Sequence, residues 1–189
     1  MIRLKQLLQE DIENISALGS TPEEESSEDY QLLHDGWETR GVNAAKYLVN
    51  KGFNKIIAAA FIGNFAVESG VRANVSQNRV KGLKTGTGFK PTSPDVAKKQ
   101  PGWAGYGLAQ WTQERRASLT SAGAATVNQQ LNFVISELNS TESSAWKKIK
   151  STKTLSDATA AVVKFYERAG TPALSERINK ATTIYNRIK

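Results

Sequence analysis

The chain has 189 residues, 39% of them hydrophobic and 23% charged, with a formal net charge of +7. This is the balance of a folded domain large enough to bury a core of its own. Cysteine is absent, which excludes disulfides, thiol nucleophiles and Cys/His zinc sites, and no apolar run approaches the roughly 20 residues that span a bilayer.

In chain order, Ile2, Leu4, Leu7, Leu8, Ile12 and Ile15 fall near helical spacing and predict a short amphipathic helix. Glu10 and Asp11 interrupt it before any continuous apolar stretch forms. The N-terminus therefore does not read as a secretory signal, and action outside a cytoplasm would need another means of delivery. "GSTPEEESSED", residues 19–29, is an acidic, polar linker. His34, the single histidine, sits beside it and reads as a solvated surface residue, not as the base of a Ser-His-Asp triad. Residues 1–36 hold two basic residues against nine acids, a charge of −7, and the remainder carries +14. We divide the chain there: an N-terminal amphipathic helix and acidic linker over 1–36, and the main domain over 37–189. A strongly basic body points to a polyanionic partner, either nucleic acid or an anionic cell wall.

The main domain opens with two helices. "NAAKYLVNKG" ends on Gly52, placed as a C-terminal cap glycine, and Asn54 is placed to cap the next helix, which runs through "AAAFIGNFAVESG". From Gly70 to about Gly107 glycines and prolines crowd in, and neither helical nor strand periodicity lasts. This predicts a long functional loop with a small β-hairpin. Helical spacing resumes near 111–122, 126–139, 143–150, 155–169 and 175–188. The fold class is mainly α, with one glycine-rich excursion between two helical parts.

The basic body holds nine acids: Glu38, Glu68, Asp95, Glu114, Glu137, Glu142, Asp157, Glu167 and Glu176. Most lie among polar neighbours and read as solvated surface. Glu68 differs, because Ile62, Phe65, Ala66 and Val67 lead into it. A desolvated carboxyl group tends to keep its proton, and a protonated carboxyl can protonate a leaving group, as glycosidases require. The competing structural reading is a buried ion pair, with Arg72 as the nearest cation in sequence. The second motif is "GWAGYGLAQWT", residues 102–112, in which three glycines are flanked by Trp103, Tyr106 and Trp111, with Gln110 between. Aromatic faces and an amide suit a sugar site. The same residues also suit a tight turn whose aromatics pack in the core.

Four motifs stand in order: an apolar helix ending Glu-Ser, a glycine-rich loop, Gly-Tyr-Gly-Leu-Ala-Gln-Trp, and the late pattern "VVKFYERAGTPALSERINKATTIYNRI". Together they resemble the phage tail lysozymes, peptidoglycan-cleaving domains related to goose-type lysozymes and lytic transglycosylases. The resemblance covers roughly residues 40–188 and implies a lysozyme-like domain, with the leader as an extension. It implies that Glu68 is the catalytic acid, that Ser69 orients it or touches substrate, and that Tyr106 and Gln110 line the glycan cleft. Tyr166 matches the late tyrosine that faces the catalytic carboxyl in the transglycosylases. Glu167 and Arg168 read as a structural pair. Ala169 replaces the proline that often follows Tyr-Glu-Arg, which affects only a turn.

The expected reaction is cleavage of the β-1,4 bond between N-acetylmuramic acid and N-acetylglucosamine, with no metal or cofactor. Glu114 and Asp95 are candidates for a base that holds the attacking water. Without a base, the muramyl 6-hydroxyl attacks and gives the 1,6-anhydro product of a transglycosylase. The expected partners are peptidoglycan strands, with other tail proteins reached through the N-terminal segment and no membrane span. Carriage in a virion tail is the expected location. A non-catalytic wall-binding tail module is the alternative. A nucleic-acid role is set aside because the basic residues are scattered without a binding motif.

Overall fold

A computed structural model describes residues 36–77, 89–170 and 172–189. The predicted leader helix, the acidic linker and His34 lie outside these residues, as does the middle of the glycine-rich loop.

Helix α1, Trp37–Asn50, starts earlier than its apolar core implies and ends as the glycine predicts. Gly52 adopts φ +93°, its N–H donates to Val49 O at 2.9 Å, and the Phe53 N–H donates to Leu48 O at 3.1 Å. These are the two bonds of a Schellman motif, and Phe53 and Leu48 are both in the core behind it. Helix α2, Lys55–Glu68, is capped by Asn54, whose Oδ1 accepts from the Ile57 N–H at 2.8 Å. Ala58, Ala59, Ala60, Phe61 and Ile62 are wholly buried. A helix buried on every side has no polar face to show, which is why its sequence is nearly featureless.

The loop region is more ordered than its composition suggests. Strands β1 (Val75–Gln77) and β2 (Phe89–Pro91) pair antiparallel, with Ser76 opposite Lys90. They are followed by a short helix, α3 (Pro94–Lys98), which lacks a visible period because it is only one turn long. Its signal was the Ser93-Pro94 step: Ser93 Oγ accepts from the Val96 N–H, and Pro94 occupies the first turn, where an N–H is not needed.

The remaining helices are α4 (Gln113–Ser121), α5 (Val127–Asn139), α6 (Ser143–Lys150), α7 (Leu155–Ala161) and α8 (Leu174–Arg187). The single helix predicted over 155–169 is divided. After Ala161 the chain widens into a π turn, Val162–Glu167, and leaves it through Arg168 in the left-handed conformation, φ 53°. Around α2 pack α1, α7 and α8. The α2–α8 contact is backbone-close: a Cβ on Gly63 would lie 2.5 Å from Ala181 Cβ. No helix among the described residues is long and apolar enough to cross a membrane.

Candidate active site

Glu68 is the last residue of α2, and its side chain is 21% exposed. The chain turns sharply behind it. Ser69 is wholly buried; its Oγ donates to Phe65 O at 3.0 Å and accepts from the Arg72 N–H at 3.3 Å. Gly70 and Val71 both have positive φ, +65° and 57°. For a β-branched valine this is a strained conformation, of the kind that clusters at functional sites. Arg40 of α1 fastens the turn, donating from Nε and Nη2 to Gly70 O at 3.1 and 2.8 Å.

The partner of Glu68 is Arg177 of α8, not Arg72. Arg177 Nη2 donates to Glu68 Oε1 in a close ion pair, and the Arg177 side chain is 3% exposed. Its remaining donors are fixed by Asn64 Oδ1 at 3.1 Å and Pro172 O at 2.8 Å. Asn64 is itself buried one helical turn before Glu68 and donates to Ala60 O at 2.8 Å. The carboxyl group is thus held by a guanidinium that has no rotational freedom. Arg177 was present in the late motif, but nothing local marked it as interior. Asn64 was a polar residue inside an apolar helix, a signal that could have been used.

Glu167 also belongs here. It ends the π turn, and its Oε1 is buried without a hydrogen-bond partner among the described residues. Burial, reinforced by the charge of Glu68, pushes its carboxyl well above the usual range, against the pull of Arg177 and Arg115. Arg168 does not pair with it; Arg168 Nη2 donates to Glu142.

Tyr106, Gln110 and Trp111 form a tight hairpin. The Tyr106 N–H donates to Trp111 O and the Trp111 N–H to Tyr106 O, each at 3.0 Å. Tyr106 and Trp111 are core residues, whereas Trp103 is 51% exposed. The Tyr106 hydroxyl donates to Asn74 Oδ1 at 2.8 Å, and burial raises its pKa to about 12. Gln110 Nε2 donates to Gly107 O at 2.8 Å and to Val75 O at 3.2 Å. These bonds tie the hairpin to the segment that leaves the Glu68 turn. Gln130 locks the other side: Oε1 accepts from the Leu108 N–H at 2.9 Å, and Nε2 donates to Ala73 O and Ala124 O at 3.1 and 3.0 Å.

Tyr166 is buried, and its hydroxyl donates to Glu137 Oε2 at 2.6 Å. Glu137 also accepts from Trp111 Nε1 at 3.2 Å and from Arg115 Nε and Nη2 at 2.6 and 2.8 Å. Glu137 and Glu142, read as surface acids, are 6% and 7% exposed. Their cations make burial tolerable: Arg115 for both, and Arg168 for Glu142. The two candidate bases lie on the surface: Glu114 is exposed in the first turn of α4, and Asp95, 87% exposed, pairs with Lys98.

What the described residues bring together is therefore Glu68, Ser69, Arg177 and Glu167, with Tyr106 and Gln110 braced against the strand that follows. A carboxyl group that is partly open to solvent and rigidly held can exchange a proton with a bound oxygen. No curated protein matches the chain. The phage tail lysozyme family matches it over residues 40–188, from the arginine that fastens the Glu68 turn to the end of α8. The chain belongs to the phage tail lysozyme family, and that membership implies a lysozyme-like, peptidoglycan-cleaving function.

Proposed function

We propose that the protein is a virion-associated muramidase that hydrolyses the β-1,4 bond between N-acetylmuramic acid and N-acetylglucosamine, with residues 37–189 as the catalytic unit. The observation that carries this reading is Glu68, delivered by a helix buried from Ile57 to Ala66 to a partly exposed position and gripped by a buried arginine. Glu68 protonates the glycosidic oxygen. Gln110, partly exposed, meets the glycan, while Ser69, Tyr106 and Tyr166 hold the walls that position both.

The test is Glu68→Gln. It keeps the acceptor for Arg177 and removes the transferable proton, so wall-lysis activity should fall at least about a hundredfold. Loss of the charge beside a buried guanidinium should also cost stability, so activity is counted per folded molecule. A variant that keeps a tenth of wild-type activity removes Glu68 from this role.

A second reading, that of a lytic transglycosylase, is supported by the solvent exposure of both candidate bases, Glu114 and Asp95, the latter paired with Lys98. Mass spectrometry of the products from purified peptidoglycan separates the two, since 1,6-anhydromuramyl ends arise only from internal attack.

A further inference from the structure

Glu68 meets Arg177 as a carboxylate in an ion pair, and a carboxylate has no proton to give. Protonating a glycosidic oxygen therefore needs a proton held elsewhere in the site. Glu167 is the group built to hold one. Its Oε1 is buried, and no N–H or O–H among the described residues donates to it. An ionised carboxylate in that setting is disfavoured, whereas the neutral acid is tolerated. The π turn is what aims it inward. A π turn adds a residue to the helical repeat; Glu167, half-buried after the buried Tyr166, turns its Oε1 inward, and Arg168 then breaks the helix with positive φ.

The charges facing Glu167 come from four packed helices. Glu68 on α2 favours the neutral acid, as does Glu137 on α5, while Arg177 on α8 and Arg115 on α4 favour the carboxylate. Two cations, though already paired, thus offset part of the charge that appears if the proton leaves.

We propose that Glu167 is the proton store of the Glu68 site, resting as the neutral acid and passing its proton to the Glu68 carboxylate during turnover. The O–H bond of Glu167 breaks and an O–H bond forms on Glu68. Glu167 becomes a carboxylate facing Arg177 and Arg115, and Arg177 releases the now neutral Glu68. Glu68 then gives the proton to the glycosidic oxygen and returns to its ion pair, and Glu167 is reprotonated from water. Glu167 is in this sense a positioning residue for a proton, acting through Glu68, and the proposal rests on Glu68 being the reacting carboxyl.

The experiment uses the full chain as wild type, Glu167→Gln and Glu68→Gln. Infrared spectroscopy near neutral pH should show the C=O stretch of one buried, protonated carboxylic acid that disappears in Glu167→Gln. In Glu68→Gln the titration midpoint of that band should fall, because the nearby negative charge is gone. On purified peptidoglycan, Glu167→Gln should lose about tenfold or more at neutral pH and recover as pH falls and solvent supplies the proton instead. A purely structural role would scale activity equally at every pH. Absence of the band, or a Glu167→Gln profile with wild-type shape, overturns the proposal. If Glu167→Gln does not fold, a band midpoint unmoved by Glu68→Gln overturns it instead. An active Glu68→Gln sinks the underlying reading as well, whereas an inactive Glu68→Gln beside an unchanged Glu167→Gln profile sinks this proposal alone.

Discussion

Replacing Gly63 by alanine tests whether the spacing of α2 and α8 sets the site. A Cβ there would lie 2.5 Å from Ala181 Cβ, 2.6 Å from its N and 2.7 Å from its Cα. Carbon atoms pack comfortably at about 3.5–4.0 Å, so the helices must part by about 1 Å. Overpacking of this kind costs about 1–3 kcal/mol, and backbone on the far side puts Gly63 at the upper end because it cannot rotate away. Alanine returns about 1 kcal/mol through its better helix propensity. The net loss is about 2 kcal/mol, or about 4–8 °C in Tm for a protein of this size. Gly41→Ala is the control: its Cβ would meet Ile184 Cδ1 at 2.6 Å, the far end of a flexible side chain, so the two effects nearly cancel. Function should suffer too, because α2 carries Glu68 and α8 carries Arg177. A misplacement of about 1 Å can cost about a hundredfold in rate. Thermal melts and wall-suspension clearing, normalised to folded protein, measure both effects. A Gly63→Ala protein as stable as wild type, or no less stable than Gly41→Ala, would refute the close-contact argument.

Other substitutions separate bracing from chemistry. Tyr106→Phe removes the donor to Asn74 and should cost about 1 kcal/mol in a denaturation curve; an unchanged curve would mean the bond contributes nothing to the hairpin. For Glu167→Gln the effect depends on pH. The folded carboxyl is raised, so below about pH 4 both states hold the proton and there is no difference. As pH rises the unfolded chain releases its proton and the folded one does not. The contribution of Glu167 to wild-type stability then falls by about 1.4 kcal/mol per pH unit until the folded group ionises. Glutamine does not titrate, so the stability of Glu167→Gln relative to wild type should climb with pH in urea titrations, and a flat difference contradicts the assignment. Finally, a chain beginning at Gly36 should fold and keep glycan-cleaving activity; failure to fold would move the domain boundary into the leader.

Much of this protein was readable locally. The Gly52 cap and the Asn54 cap are short-range devices whose partners lie within five residues, so sequence alone determines them. The buried helix is legible for a related reason: only a segment with no polar face can be buried all round, and residues 58–66 hold one polar side chain, Asn64. The order of motifs carried the family for the same reason, since each motif is a few adjacent residues. The environment of the charges was not legible. Glu137 and Glu142 look like surface acids because a buried carboxylate and a solvated one have the same letter, and what distinguishes them is Arg115 and Arg168, brought from elsewhere in the chain. Tyr106 and Tyr166, read as cleft residues, have their hydroxyls bonded to Asn74 and Glu137, a choice made by packing. Arg177 lies 109 positions from Glu68, and no periodicity links them. Tertiary structure alone decides such pairs, because the free energy of a buried charge is set by its whole surroundings and not by its neighbours in sequence.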